Sequence, residues 1–457
     1  MENTKIKFLN HASVLISHNE IGLLSDPWYE SSVFHNGWRL IHETKLNEVL
    51  QILDYTTHIF ISHEHPDHFN TGFFLNEEIK KKIQSQDIKI LFQKNYDKRV
   101  LNFLVKFGFN VIECKSGKKI KLSNQFEVQV VKHDFYDSSI SIKTPEAKIL
   151  NLNDCPTNDE RSLKNFKKKY GKFDLLITQF SYAAWKGGMK NIELRKKAAN
   201  DKLLAIENQA NILECKKVIP FASFIYFSNI LNFYMNDSIN TPSKLANHFK
   251  SKDFELIIMS PNEDQLVKNL KQNQESIKFW TSKYEKIKNK NCKIDEYGSS
   301  VDTKDLETSY ENYKKRIFYK NSRFLIYILE KIKFLNFFQK INIFIIDKNE
   351  NYEYSIFSGL KKINNNNQDI SLHSQSLLFI FKNEFGFDTL TVNGCFESSL
   401  KGFSKISRIL AIGSLNAMGL SVSIKIFTKP NIILLFLSKL RNFLNKMKTT
   451  TRNSLHT

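Results

Sequence analysis

Apolar positions in the first third of the chain come in short runs with a period of two. "KIKFL", "ASVLIS" and "IGLLS" read as strands, the last two joined by a turn at His18-Asn19-Glu20. "LNEVLQILD" switches to a helical period, and "THIFIS" returns to a strand. Strand, helix and strand follow at "IKILF", "YDKRVLNFLVKFG" and "FNVIE", with Gly108 where the helix should end. Further strands are expected at "FEVQVVK", "SSISIK", "AKILNL", "FDLLITQ" and "KVIPFA". A long helix is expected over 190–214, between the last two.

Two groups of strands with interspersed helices point to a layered α/β domain over 1–290. The charged stretch "EDQLVKNLKQNQESIKFWTSKYEKIKNK" is expected to close it as helix. A helical linker over 291–320 and a smaller α+β domain over 321–457 follow, the latter with the apolar helix "FLIYILEKIKFL" and the turn "NNNNQD". Near the end, "LLFLSKLRNFLNKMK" places apolar residues at 436, 440, 443, 444 and 447 among Lys and Arg. That is a basic amphipathic helix, suited to docking on its own domain or to peripheral contact with an anionic membrane.

Composition narrows the partners. The chain is 41% hydrophobic and 25% charged, the balance of a soluble globular protein. Its 67 basic and 47 acidic residues leave +20, and the stretch from Ser398 to Thr457 has ten Lys or Arg and no acid. A basic surface favours an anionic partner. No nucleic-acid partner is expected, because the first domain lacks basic patches interleaved with aromatics. The five cysteines show no CxxC or CxH spacing, which excludes a disulfide framework or zinc finger. With no secretory leader pattern and no bilayer-length apolar run, a cytoplasmic location is expected.

The chemistry concentrates in "THIFISHEHPDHFN", residues 57–70. His63, His65, Asp67 and His68 offer four metal donors directly after an apolar strand, a place where function tends to sit. Donors at 63, 65 and 67 would share one side of an extended segment, which Pro66 favours at His65. His68 would then point elsewhere, suiting a second ion roughly 3.5–4 Å away.

This H-x-H-x-D-H pattern resembles the signature of the metallo-β-lactamase superfamily. The resemblance implies an αββα sandwich, with a smaller C-terminal α+β domain, and one or two divalent ions. It assigns His63, His65 and His133 ("VVKHDFYDSS") to one ion and Asp67 and His68 to the other, with Asp154 ("ILNLNDC") bridging. Asp26 ("LLSDPW") would orient a loop histidine from behind. Asp67 or Asp154 would accept a proton. Zinc is the first expectation, and the donors also admit iron or manganese. The superfamily usually supplies a further late histidine. Here "VIPFASFIYFSNILNFYMND" has none: Ser228-Asn229 stands in its place, and His248 is the nearest histidine.

Within the superfamily, "NHASVLISHNEIGLLSDPW", "VFHNGWRL", "LNLNDC", "FDLLITQFSYAAW" and "FGFDTLTVNGCF" resemble the metal domain of CMP-N-acetylneuraminate hydroxylase and its bacterial relatives. The paired Cys and His of a Rieske centre do not occur in the chain. His11, Trp28, His35, Trp38 and Arg39 offer one substrate wall. Tyr182, Trp185, Lys186 and Lys190 offer another, with Gly187-Gly188 permitting close backbone approach. The leading expectation is a metal-dependent hydrolase of a small anionic sugar, nucleotide-sugar or glycan precursor. The alternatives are the metal subunit of a hydroxylase that needs a separate Rieske partner, and a catalytically degenerate binding module.

Overall fold

The computed structural model describes residues 3–424 apart from 134, 135 and 366. The amphipathic segment expected within 434–448 therefore lies outside the described residues, and with it the expected membrane contact. Among the described residues no helix is long and apolar enough to cross a membrane. The chain divides into two compact units, Met1–Lys186 with Asn191–Asp295, and Gly187–Lys190 with the residues from Glu296 onward.

The first unit contains two seven-stranded sheets. In one, the antiparallel strands Lys5–Asn10, Ser13–His18 and Ile21–Ser25 continue into the parallel strands His58–Ile61, Lys89–Gln93 and Val111–Cys114. In the other, Lys119–Ser123, Phe126–Lys132, Ser138–Lys143 and Lys148–Asn153 form a meander. Leu175–Gln179, Lys217–Phe221 and Glu255–Leu256 then add in parallel.

Period-two alternation assigns the faces. Leu15, Leu24, Ile59, Ile61, Ile90 and Phe92 pack with Val49, Ile52, Phe74, Ile79 and Leu104 from the helices on one side. Val14, Ile16, Leu23, Phe60 and Leu91 point the other way, into a core with Val128, Val130, Ile140, Ile142 and Leu150 of the second sheet. Leu203, Ile206, Ala210 and Leu213 of the helix Ile192–Leu213 belong to that same core. The first unit is thus the αββα sandwich expected. Each buried aliphatic contributes on the order of 1.5–3 kcal/mol. The sandwich therefore holds its strand ends, and the loops on them, in place.

Two expectations are corrected. The charged stretch at 263–290 does not begin as helix. Asp264–Leu266 pairs antiparallel with Lys5–Asn10, a 3-10 turn follows at Val267–Asn269, and the α-helix is Gln274–Lys288. The open edge of the first strand captures the chain first, with Asn262 N donating to Phe8 O at 2.8 Å. Likewise, 303–320 is not part of a linker. The helix Thr303–Lys320 buries Leu306, Tyr310, Tyr313 and Ile317 within the second unit. That i, i+4, i+3 spacing makes one apolar face. The second unit has a five-stranded sheet with Ile341–Ile345 at its centre, beside Glu350–Ser355 and Ile370–Leu372. At Gly359, φ is +69° and a Cβ would lie 2.6 Å from the Tyr310 ring, so only glycine fits.

Candidate metal centre

The strand His58–Ile61 ends beneath Ser62 and His63, both fully buried. The chain then does not run extended, as expected, but turns at once. His68 N and Phe69 N both donate to His65 O, at 2.9 and 2.7 Å. This turn returns position 68 beside position 63, with ring centroids 4.2 Å apart. Asn70 then caps the helix Thr71–Leu75 by accepting from Phe73 N. His68 therefore does not point away from the other donors; it lies at their centre.

Among the described residues, two groups offer one donor atom each within 4.8 Å of one another: His63, His68 and Asp154, and His11, Asp67 and His68. Asp154 follows the end of Lys148–Asn153, after a left-handed Asn153 (φ 53°). Its Oδ2 lies 3.8 Å from His63 Nε2 and 3.7 Å from His68 Nε2. Asp67 Oδ2 lies 3.4 Å from His68 Nε2 and 3.2 Å from His11 Nε2. His65 Nδ1 approaches His63 Nε2 at 2.9 Å. Asp26 stands behind, with Oδ2 2.9 Å from His68 Nδ1 and Oδ1 accepting from Ser62 N at 2.7 Å.

These residues fit a cation. Asp67 Oδ1, Asp154 Oδ1 and His68 Nε2 are buried and have no hydrogen-bond partner, which is costly unless something positive completes them. Burial opposes charge on His68, but Asp67, Asp154 and Asp26 outweigh it and hold its pKa well above the ordinary value. Burial likewise opposes charge on Asp67, yet His68 and His11 hold its carboxyl well below the ordinary range. Burial pushes His63 well down, to the neutral form that binds metal.

Several expected residues are not brought in. His133 belongs to neither group. Its Nε2 lies 2.8 Å from Ser139 Oγ, its Nδ1 2.6 Å from Thr157 Oγ1, and its ring stacks on Phe166. His133 N also donates to Asp137 O at 2.7 Å. Ser228 and Asn229 clamp neighbouring loops instead: Ser228 Oγ donates to Asp295 Oδ2 and Asn229 Nδ2 to Asn36 O. His248 ends an exposed surface helix, against Phe249. Arg39 is spent in a two-pronged pair with Asp295, at 2.7 and 2.9 Å. The Tyr182 hydroxyl donates to Met235 O, and its ring stacks on Phe227. Trp185 is buried. Trp28 is buried with its ring edge on His11 (5.4 Å), and Trp38 packs on Phe34, which meets His65 at 5.9 Å. Gly188 does admit a close neighbour, but it is Glu397, which also accepts from Met189 N. Lys190 is exposed.

Other residues emerge only in three dimensions. A cavity of about 400 Å³ beside Asp154 is lined by Gln179, Tyr182, Lys186, Asp201 and Lys202. Lys202 donates to Gln179 Oε1. Burial pushes its pKa down, Asp154 pulls it up, and Lys186 adds repulsion. Nothing in the local sequence sets Lys202 apart from the other lysines of the helix Ile192–Leu213. Asp137 is held near the cluster: burial and Asp154 push its pKa up to about 7, against His65 and His68. A second acid in "HDFYDSS" was its signal. Ser62 bridges the site, with Oγ 2.7 Å from Asp26 Oδ2 and 3.0 Å from His63 Nδ1.

No protein-family model matches the chain, and no curated protein matches it. Solved structures similar to it include CmlA, a diiron β-hydroxylase from Streptomyces venezuelae, at 14% identity and a TM-score of 0.40. That match covers 58% of this chain and 55% of CmlA, so the chain spans little more than half the length of that protein. Igni18, a metallo hydrolase from Ignicoccus hospitalis, matches at 15% identity over 57% of this chain and 97% of its own, TM-score 0.39. The metallo-β-lactamase fold protein YhfI from Bacillus subtilis matches at 12% identity over 58% and 99%, TM-score 0.38.

Proposed function

We propose that this protein is a metal-dependent hydrolase of a small anionic substrate: a sugar, nucleotide-sugar or glycan precursor. What supports this reading is the convergence of His63, His68, Asp67 and Asp154 at one strand end, with buried donor atoms left unpartnered. His63, His65 and Asp154 would hold an ion on one side, and Asp67 and His68 on the other. A divalent cation supplies Lewis acidity there, making water a usable nucleophile near neutrality and polarising the bond under attack. Asp154 is the better placed proton acceptor, because its side chain is 20% exposed and lines the cavity, whereas Asp67 is 6% exposed. Lys202 and Lys186 on that cavity favour a negatively charged group. Its volume falls within the usual range of small-molecule sites, roughly 300–1,000 Å³.

A second reading, the metal subunit of a hydroxylase with a separate Rieske partner, is favoured by one observation. The donors brought together are imidazole nitrogens and carboxylate oxygens without a thiolate, which admit iron or manganese as well as zinc.

The test is elemental analysis of protein purified without added metal, paired with hydrolysis of p-nitrophenyl phosphate and bis-p-nitrophenyl phosphate. Bound zinc and turnover, both lost in His63→Ala and Asp154→Ala, support the hydrolase. Iron without turnover moves the weight to the hydroxylase subunit. No metal after reconstitution overturns both.

A further inference from the structure

The usual donors to a second ion include a histidine late in the domain, and the residues at that place here are clamps within the fold. We infer that His11, from the opposite end of the domain, takes over this role and ligates the ion held by Asp67 and His68. The inference rests on the metal-centre reading above.

His11 sits in the two-residue turn between Lys5–Asn10 and Ser13–His18. The first strand carries a register shift between Phe8 and Asn10, and His11 itself has φ 24°. Side chains other than glycine rarely adopt that region, and such geometry persists where the surroundings enforce it. Here Ala222 N donates to His11 O at 2.7 Å and pins the turn. The ring is driven inward and is 1% exposed.

Inside, His11 Nε2 lies 3.2 Å from Asp67 Oδ2, and the His11 and His68 rings meet at 5.9 Å. Its Nδ1 has no hydrogen-bond partner; the ring is held by the edge of Trp28 instead. Across from it, Asp67 Oδ1 and His68 Nε2 are buried donors without partners. One imidazole nitrogen, one carboxylate oxygen and a second imidazole nitrogen therefore face one small volume, from two separate parts of the chain. Nitrogen and carboxylate donors converging in this way are what a divalent ion requires. The turn is itself buried, from Asn10 to Ser13, so a strained histidine is held there against the Asp67 carboxylate.

The competing role is that His11 only orients Asp67 by a hydrogen bond. His11→Gln separates the two, because glutamine keeps an N–H for Asp67 and removes the imidazole. His11→Ala is the second variant, and circular dichroism reports whether each is folded. Metal per chain and the visible spectrum of the cobalt(II)-loaded protein are measured on the full chain. The expected result is about two ions in the wild type and about one in each folded variant, with an altered cobalt spectrum. Unchanged stoichiometry and spectrum in His11→Gln overturns the inference, whether the wild type holds one ion or two. A wild type that holds no metal overturns the metal-centre reading itself, and is recognised before any variant is compared.

Discussion

Asp26 and His68 are joined at 2.9 Å through Oδ2 and Nδ1, and this pair decides which nitrogen of His68 faces Asp67 and Asp154. A carboxylate behind a ligand histidine sets its tautomer and raises its basicity. Asp26→Asn should weaken metal binding about 10–100-fold, measured by competition with a chromogenic chelator. Asp26→Ala should add a stability loss of about 1–3 kcal/mol, because Ser62 N then lacks its acceptor in the core. Equal chelator affinity in Asp26→Asn and wild type would show that His68 needs no such support.

His133 gives a sharper separation of expectation from structure. Its two nitrogens are engaged by Ser139 and Thr157, and it belongs to neither donor group. His133→Ala should keep its metal while losing about 1–3 kcal/mol from the two hydroxyls left short of a partner. His63→Ala and Asp154→Ala should lose metal. Elemental analysis beside urea melts reads both quantities. Loss of metal in a folded His133→Ala would restore the ligand role implied by the sequence motif.

These two residues show what the sequence could and could not convey. The sandwich was legible because its strands are short apolar or alternating runs and its helices keep one apolar face. The His63–His68 loop was legible because its donors are adjacent in the chain. His133 carried the right residue type after the right strand, but its nitrogens meet the hydroxyls of Ser139 and Thr157, partners that nothing local to it reveals. Lys202 and Asp137 become visible only when distant segments meet. Arg39 looked available because nothing local reveals Asp295 as its partner. Helix 303–320 looked like a connector because its buried apolar positions stand among Lys and Glu.

Lys202 tests the proposed substrate charge. It shares the cavity with Asp154 and Lys186 and is oriented by Gln179. A charge-assisted hydrogen bond is worth about 1.5–3 kcal/mol, so Lys202→Met should weaken binding of inorganic phosphate at least about tenfold. Metal content should be unchanged, since no metal donor is removed. Isothermal titration on wild type and variant, matched for metal, reads the difference. Identical phosphate affinity would place the anion away from this cavity.

His58 supplies a pH dependence independent of the metal donors. It is buried in the strand His58–Ile61, its Nδ1 is 2.9 Å from Thr57 Oγ1, and it pairs across the sheet with Lys89. Burial, then repulsion from Lys89, pushes its pKa down to about 4. The unfolded chain titrates near 6.5. Between those values the unfolded state binds more protons, so His58 makes stability fall as pH drops from about 6.5 to about 4. Above that window its contribution is complete. His58→Gln keeps a polar side chain beside Thr57 and removes the titration. Between pH 7 and pH 5 the wild type should lose about 1 kcal/mol more than this variant, a figure lowered for solvent screening. Urea midpoints at the two pH values, at fixed metal content, measure it. Parallel losses in the two proteins would show that His58 is as readily protonated in the folded state as in the unfolded chain.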